Sequence, residues 1–169
     1  MTIHSGHPFP TEDDPARRLR GRLGAAVTLW TSGAGTTPGT RAGLTITSVL
    51  LANGDPPRLL ALVDPDSDFA DVFEDTGRAV VQLLSWGHRD LADAFAGVAP
   101  APGGPFRMAE FDQTPSGPRL RGATTWADVT LESASPVGWS LLLTCPITEV
   151  VVGADDEPLL HRRGRYARP

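Results

Sequence analysis

The sequence predicts a mainly β fold with a few short helices, and three observations carry that prediction. Its 169 residues include 18 Gly and 16 Pro, enough chain breakers to demand many turns. Its apolar runs are of strand length and rich in β-branched residues, as in Ala25–Thr31, Arg58–Val63 and Arg78–Leu84. Apolar residues at helical spacing are confined to brief stretches around Phe69 and Leu91, each closed by a glycine.

At this length one domain is expected, able to bury roughly two-thirds of its unfolded surface without disulfide or metal. Fifteen Lys and Arg against 20 Asp and Glu leave a net charge of −5, which disfavours nucleic acid and anionic membranes as partners. The arginines gather near the termini, at Arg17, Arg18, Arg20 and Arg22 and at Arg162, Arg163, Arg165 and Arg168, in short interrupted groups typical of solvated ends or subunit contacts. The single cysteine, Cys145, has no intrachain disulfide partner and reads as a small buried hydrophobe. With no apolar run of about 20 residues and no apolar leader, the chain is expected to be soluble and cytoplasmic. No metal site is predicted, and His4, His7 and His88 read as exposed.

In chain order, residues 1–20 are expected to be a flexible tail preceding a domain over 21–169, although Pro15–Arg22 carries the signals of a short helix ended by Gly21 or Gly24. A strand over Ala25–Thr31 leads into turn chemistry. Gly33, Gly35 and Gly39 form no phosphate loop, because the Gly-Lys-Ser/Thr ending is missing. Arg58–Val63 reads as a strand buried on both faces. Asp64-Pro65-Asp66-Ser67 reads as the capped start of a short helix carrying Phe69, Val72 and Phe73, stopped at Gly77, and Arg78–Leu84 is the next strand. Ser85 caps a second helix that buries Leu91, Ala94 and Phe95 before Gly97. From Gly97 to Pro118 the chain lacks a period apart from a turn of helix near Phe106, and reads as a surface excursion suited to a lid. Short strands follow at Arg119–Arg121 and Thr124–Glu132. A turn is expected over Ser133–Gly138, then a long strand over Trp139–Val152 bulged at Pro146.

The stretch Arg41–Pro57 stands apart from this scaffold. Thr45-Ile46-Thr47-Ser48 combines β-branched and hydroxyl-bearing residues, and Asn53-Gly54-Asp55-Pro56-Pro57 then stops the strand. Small hydroxyls beside free backbone N–H groups can hold a polar ligand.

Three motifs in order make the chain resemble the flavin reductase-like family. The first is Gly43, Thr45-Ile46-Thr47-Ser48 and Asp55-Pro56-Pro57. The second is the strand, helix, strand, helix series from Leu59 to Phe95, ending Leu91-Ala92-Asp93-Ala94-Phe95-Ala96-Gly97. The third is the tail Pro158-Leu159-Leu160-His161-Arg162-Arg163-Gly164-Arg165-Tyr166. The resemblance covers about Gly21 to Tyr166. It implies a Greek-key-like split β-barrel, a homodimer with flavin near the subunit interface, and reduction of FMN, or of FAD or riboflavin, by NADH or NADPH. A role as the reductase component of a two-component monooxygenase follows, with a partner oxygenase. No catalytic residue is assigned, because the hydride chemistry belongs to the cofactor. The implied cofactor-binding residues are Thr45, Ile46, Thr47, Ser48, Ser67 and Gln82, with Arg41 and Arg162, and also Arg163, as substitutes for phosphate-binding charge.

The chain departs from the family pattern at three places. Where the family holds the flavin phosphate, Asp64-Pro65-Asp66-Ser67-Asp68 keeps only the Ser67 hydroxyl. Each aspartate repels a dianion by about 1 kcal/mol at ~4 Å even in water-like screening. Gln82 replaces an Asn, and Gly138-Trp139-Ser140 replaces Gly-Asp-His, with Trp139 read as a buried or interface residue or a stacking platform. These departures support a second reading from another class, a non-catalytic split-barrel binding module that has lost tight FMN binding.

Overall fold

The computed structural model describes residues 14–155 and 157–169. Its elements are α1 (Pro15–Leu23), β1 (Ala25–Ala26), β2 (Thr28–Gly33), β3 (Arg41–Ile46), β4 (Val49–Ala52), β5 (Arg58–Val63), α2 (Asp68–Thr76), β6 (Arg78–Leu83) and α3 (Arg89–Phe95), then β7 (Phe111–Thr114), β8 (Gly117–Leu120), β9 (Trp126–Thr130), β10 (Ser133–Val137), β11 (Ser140–Val151), β12 (Leu160–Arg162) and β13 (Arg165–Ala167). Single 3₁₀ turns stand at Trp86–His88 and Pro105–Met108. Of the tail expected over residues 1–20, residues 1–13 lie outside the described part, and 15–20 belong to α1, which Asp14 caps through its side chain and which ends at Gly24. The carbonyl of Gly21 accepts the Arg163 N–H, so this helix is tied to the C-terminal strands.

The main sheet has eight strands in the order β3-β2-β6-β9-β11-β5-β4, with β10 also on β11, and every pairing is antiparallel. Its outermost strands, β3 and β4, are consecutive in sequence and separated only by Thr47 and Ser48. The sheet therefore curls until its two ends meet at that pair. The Ser48 carbonyl accepts the Leu62 N–H at 3.1 Å, which carries the β4–β5 ladder up to that pair.

Two cores follow from the alternation of side chains along the central strands. Inside the curl, Trp30 meets Phe69 and Phe73 of α2 edge-on, at 6.3 and 6.5 Å between centroids. Ile46, Ala61, Val63, Val129, Leu143 and Cys145 fill the rest of this core. Outside it, Leu29, Val27, Leu84, Leu91, Phe95, Leu120 and Leu159 form a second core beneath α3 and β8. Ser67 caps α2 and Gly77 ends it in the left-handed conformation, as the sequence predicts.

The structure corrects several expectations. Ser133–Val137 is a strand rather than a turn: β10 continues the path of β9 along β11, and only Gly138 and Trp139 turn. Turn-forming composition yields there to pairing with Leu141–Thr144. The register shift in β11 falls between Ile147 and Glu149 rather than at Pro146, which pairs with Arg58 where β11 passes from β5 to β9. β5 is buried on one face only, since Ala61 and Val63 point inward while Leu62 is 40% exposed. The end of the 97–118 excursion is core rather than lid. Pro118 is fully buried and its carbonyl accepts the Thr31 hydroxyl, while a Cβ on Gly117 would stand 2.8 Å from the Thr31 carbonyl oxygen. Trp139 is 63% exposed, and His88 is half-buried rather than exposed.

Gln82 joins this framework rather than its surface. Its amide nitrogen donates to the Leu29 carbonyl at 2.8 Å and to Thr31 Oγ1 at 3.1 Å, and its amide oxygen accepts the Leu120 N–H at 2.9 Å. Gln82→Leu leaves the buried Leu120 N–H without an acceptor, so urea unfolding is expected to show a loss of about 1–3 kcal/mol.

Candidate functional site

The seam at Thr47–Ser48 is where the backbone changes partners, from β2 on one side to β5 on the other. Thr47 is half-buried and Ser48 exposed, and no hydrogen bond among the described residues engages either hydroxyl. The other residues of the motif are committed elsewhere. Ile46 is 4% exposed in the inner core, and its carbonyl accepts the Thr28 hydroxyl. Thr45 Oγ1 donates to the Ala92 carbonyl at 2.6 Å.

One flank of the seam is the end of β5 and the loop to α2. There the Asp64 carboxylate accepts the Asp66 N–H at 2.9 Å, and the Ser67 hydroxyl donates to the Asp64 carbonyl and accepts the Ala70 N–H. Ser67 is the helix cap, with one lone pair left over. Asp68 and Asp71 occupy the first turn of α2, where negative charge complements the helix dipole.

The other flank is α3, laid antiparallel on the outer face of β3. Gly43 makes room for it, since a Cβ there would stand 2.7 Å from a Phe95 ring carbon. Phe95 is itself held edge-on by Phe106 and Phe111 at 4.9 and 6.0 Å. Gly43 against Phe95 and Thr45 against Ala92 set α3 antiparallel to β3, with its start at Arg89 toward the Thr47 end of the strand. The turn into α3 is built by Ser85, whose backbone N–H donates to His88 Nδ1 at 3.1 Å, and by Trp86, whose N–H donates to the Glu157 carbonyl at 2.8 Å. The Trp86 ring carries two guanidinium groups, Arg89 at 4.0 Å and Arg168 at 4.5 Å from its centroid. Arg89 Nη1 is closed off from solvent with no hydrogen-bond partner.

The three sequence motifs thus meet on α3. Thr45 of the first binds Ala92 of the second, and Tyr166 of the third donates its hydroxyl to the Asp93 carboxylate at 2.5 Å. Burial and that carboxylate push the Tyr166 phenol up, keeping it protonated as a donor. Arg163 and Gly164 both take positive φ to make the tight turn between β12 and β13, a conformation glycine adopts without cost.

The arginines singled out in the sequence have other surroundings. Arg41 is at the far end of β3, about 20 Å from Thr47 at ~3.3 Å per residue, and stacks on Phe106 at 4.3 Å. Arg162 is exposed on β12 with its stem against Gly24, and Arg163 is in the turn beyond it. Sequence reasoning missed Arg89, Arg168 and Trp86; the one available signal was a Trp and an Arg three apart at a helix start. Cys145 offers no nucleophile, since burial pushes its thiol up to about 12. Among the described residues, no cluster of three metal-ligating side chains occurs and no helix is long and apolar enough to cross a membrane.

Beyond β6 from the seam lies a depression of about 170 Å³ lined by Leu83, Ser85, Thr125, Gly153 and Pro158. It is smaller than the ~300–1,000 Å³ of ordinary ligand pockets, so a single copy encloses no cofactor there.

The family model for the flavin reductase like domain matches residues 20–169. A protein named FMN reductase (NADH) RutF from Ancylobacter novellus is 32% identical over 151 residues, spanning 89% of this chain and 81% of that one. Among solved structures, the NADH:FAD oxidoreductase SgcE6 of Streptomyces globisporus C-1027 superposes with a TM-score of 0.80 at 20% identity, covering 96% of this chain and 97% of its own. The styrene monooxygenase flavin reductase SMOB of Pseudomonas putida S12 gives 0.77 at 20% identity, covering 90% and 95%. At those identities the two structures speak for the fold, a curled, mostly antiparallel β architecture.

Burial lowers the pKa of His88, which stays neutral and receives the Ser85 N–H on Nδ1. The unfolded chain then binds more protons below the ordinary value of about 6.5. The stabilisation this residue provides is complete above that pH and is lost as pH falls toward the depressed folded value. Thermal melts across this range are expected to show a shallower acid-side decline for His88→Gln, whose amide oxygen still accepts the Ser85 N–H.

Proposed function

The chain belongs to the flavin reductase-like family, and from that premise we propose that it is an NADH-dependent reductase of FMN that binds the flavin at the Thr47–Ser48 seam. The observation that carries this reading is the pair of unengaged hydroxyls at the closure of the sheet, flanked by α3 on one side and the β5–α2 loop on the other. Such hydroxyls suit the carbonyls and ring nitrogens of an isoalloxazine. Thr47 and Ser48 hold and orient the ring edge. Gly43 and Thr45 set the α3 wall, and Ser67 offers its remaining lone pair from the opposite wall. The flavin, when bound, supplies the group that accepts hydride from the nicotinamide. NADH and FMN are chosen because the RutF relative carries them in its name; FAD, riboflavin and NADPH are the alternatives.

The working form in this proposal is a cytoplasmic homodimer. Leu50, Leu60, Leu62, Leu142 and Val137 share the outward face of β4, β5, β11 and β10 by register, opposite the face carrying Ala61, Val63, Leu141 and Leu143. Leu50 is 73% exposed and Val137 48%. A contiguous apolar face of this kind is costly to leave in water. It adjoins the seam through Leu62, so a second copy seated there closes the flavin groove and excludes water. Reduced flavin then passes to a partner monooxygenase, a reading supported by the name of SMOB as the styrene monooxygenase flavin reductase.

The test is to add FMN and NADH to the purified protein and follow loss of NADH absorbance. Thr47→Val is expected to weaken FMN binding roughly threefold to tenfold, the worth of one hydrogen bond. A protein that binds no FMN and leaves NADH intact overturns the reading in favour of a non-catalytic binding module. For the dimer, Leu50→Glu with Leu62→Glu is expected to halve the mass measured by light scattering. A wild-type protein that is already monomeric removes the interface.

A further inference from the structure

Resting on the flavin reductase reading, we infer that Arg89 and Arg168, stacked on Trp86, are the phosphate-binding element of this site. The flank that would otherwise serve is acidic. Asp64, Asp66 and Asp68 precede and open α2, and the Ser67 hydroxyl among them donates its one hydrogen to the Asp64 carbonyl, leaving none for a phosphate oxygen. A phosphate dianion placed there meets repulsion from several carboxylates. Across the seam the charge is reversed.

Three features make the Trp86 stack a site for an anion rather than two surface arginines. Both guanidinium carbons lie within 4.5 Å of one indole centroid, so they are held within the sum of those distances of each other. Among the described residues, no carboxylate lies within ion-pair distance of either arginine, so two like charges are held close without compensation. Arg89 Nη1 is withdrawn from solvent with its hydrogen-bonding capacity unused, a state that costs free energy until an acceptor arrives. A phosphate oxygen is the acceptor that a guanidinium fork matches best. Stacking fixes both planes in advance, which lowers the entropy lost on binding.

The position is right for a nucleotide whose ring lies at the seam. Gly43–Phe95 and Thr45–Ala92 show α3 running antiparallel to β3, so its first residue, Arg89, lies toward the Thr47 end of that strand. Arg168 is brought there by the C-terminal hairpin, anchored through Tyr166 to Asp93 one turn further along α3. The phosphate can belong to the flavin nucleotide or to the nicotinamide dinucleotide, and the chemistry of recognition is the same.

The experiment is calorimetric titration of wild type, Arg89→Gln, Arg168→Gln and Arg89→Lys with FMN, riboflavin, NADH, reduced nicotinamide riboside and inorganic pyrophosphate, with thermal melts confirming that each variant folds. If the flavin phosphate is bound, each Gln variant loses about tenfold in FMN affinity, with riboflavin unchanged. If the dinucleotide is bound, the loss appears with NADH and not with reduced nicotinamide riboside. Arg89→Lys is expected to recover only part of the loss, because it keeps charge without the planar fork. Flavin binding and NADH oxidation that proceed with no phosphate-dependent loss in any variant overturn this inference and leave the reductase reading standing. Should the wild type bind no flavin or nicotinamide, pyrophosphate decides: binding that both Gln variants abolish sustains the anion site, and no binding removes it.

Discussion

A sheet whose first and last strands are neighbours in sequence must change partners somewhere, and here it does so between Ile46 and Val49. Everything near the site depends on that closure. The Ser48 carbonyl receives the Leu62 N–H, which fixes β5 against the seam and so fixes where the chain leaves for α2. On the other side Ile46 still pairs with Thr28, which fixes β2 and through it β6. Two residues are left between two ladders with their side chains uncommitted. Within a sheet such a place is rare, because strands with neighbours on both sides satisfy their backbone polar groups in both ladders.

Most of the motif residues that surround the seam build it rather than face a ligand. Gly43 is a glycine because Phe95 occupies the volume of a side chain, and Phe95 cannot retreat against Phe106 and Phe111. Thr45 spends its hydroxyl on Ala92, and Tyr166 spends its own on Asp93. Each bond ties one motif to another, and together they set the tilt of α3 over β3. A pattern of residue types can therefore mark a place by assembling its walls, and among the described hydroxyls of the first motif Thr47 and Ser48 are the two that stay uncommitted.

What was legible in the sequence was local. Asp64–Ser67, Gly77 and Gly97 mark helix ends through chemistry that acts within a few residues, and the structure ends or starts helices there, whereas Ser85 opens the 3₁₀ turn that precedes α3 rather than α3 itself. β10 was missed because Ser-Ala-Ser-Pro-Val has turn composition, while its pairing partner Leu141–Thr144 lies across the Gly138 turn. Gln82 was expected at the flavin because its residue type matched. Its true partners, Thr31 and the Leu120 N–H, are 51 and 38 residues away. Charge alone points to Arg41 and Arg162, and strand direction puts Arg41 at the end of β3 far from Thr47, while Arg162 lies exposed on β12. Arg89 was hidden for the complementary reason. Its position relative to Thr47 exists only after α3 has docked on β3, and no period or spacing within either segment encodes that docking.

The acidic flank has its own physical account, and that account explains why the charge for a phosphate stands elsewhere. α2 is a short helix, too short to persist on propensity, and it must hold Phe69 and Phe73 against Trp30 to fill the inner core. Ser67 at the cap and Asp68 and Asp71 in the first turn each add about 0.3–1 kcal/mol to its formation. Those carboxylates lie beside the seam, where arginines in their place would oppose the positive end of the helix dipole. A chain that stabilises its core with acidic residues at this helix start gives up the β5–α2 loop as a phosphate cradle. Positive charge is then placed to best effect on the opposite wall, and Arg89 and Arg168 occupy it, with an indole rather than a carboxylate holding them in place.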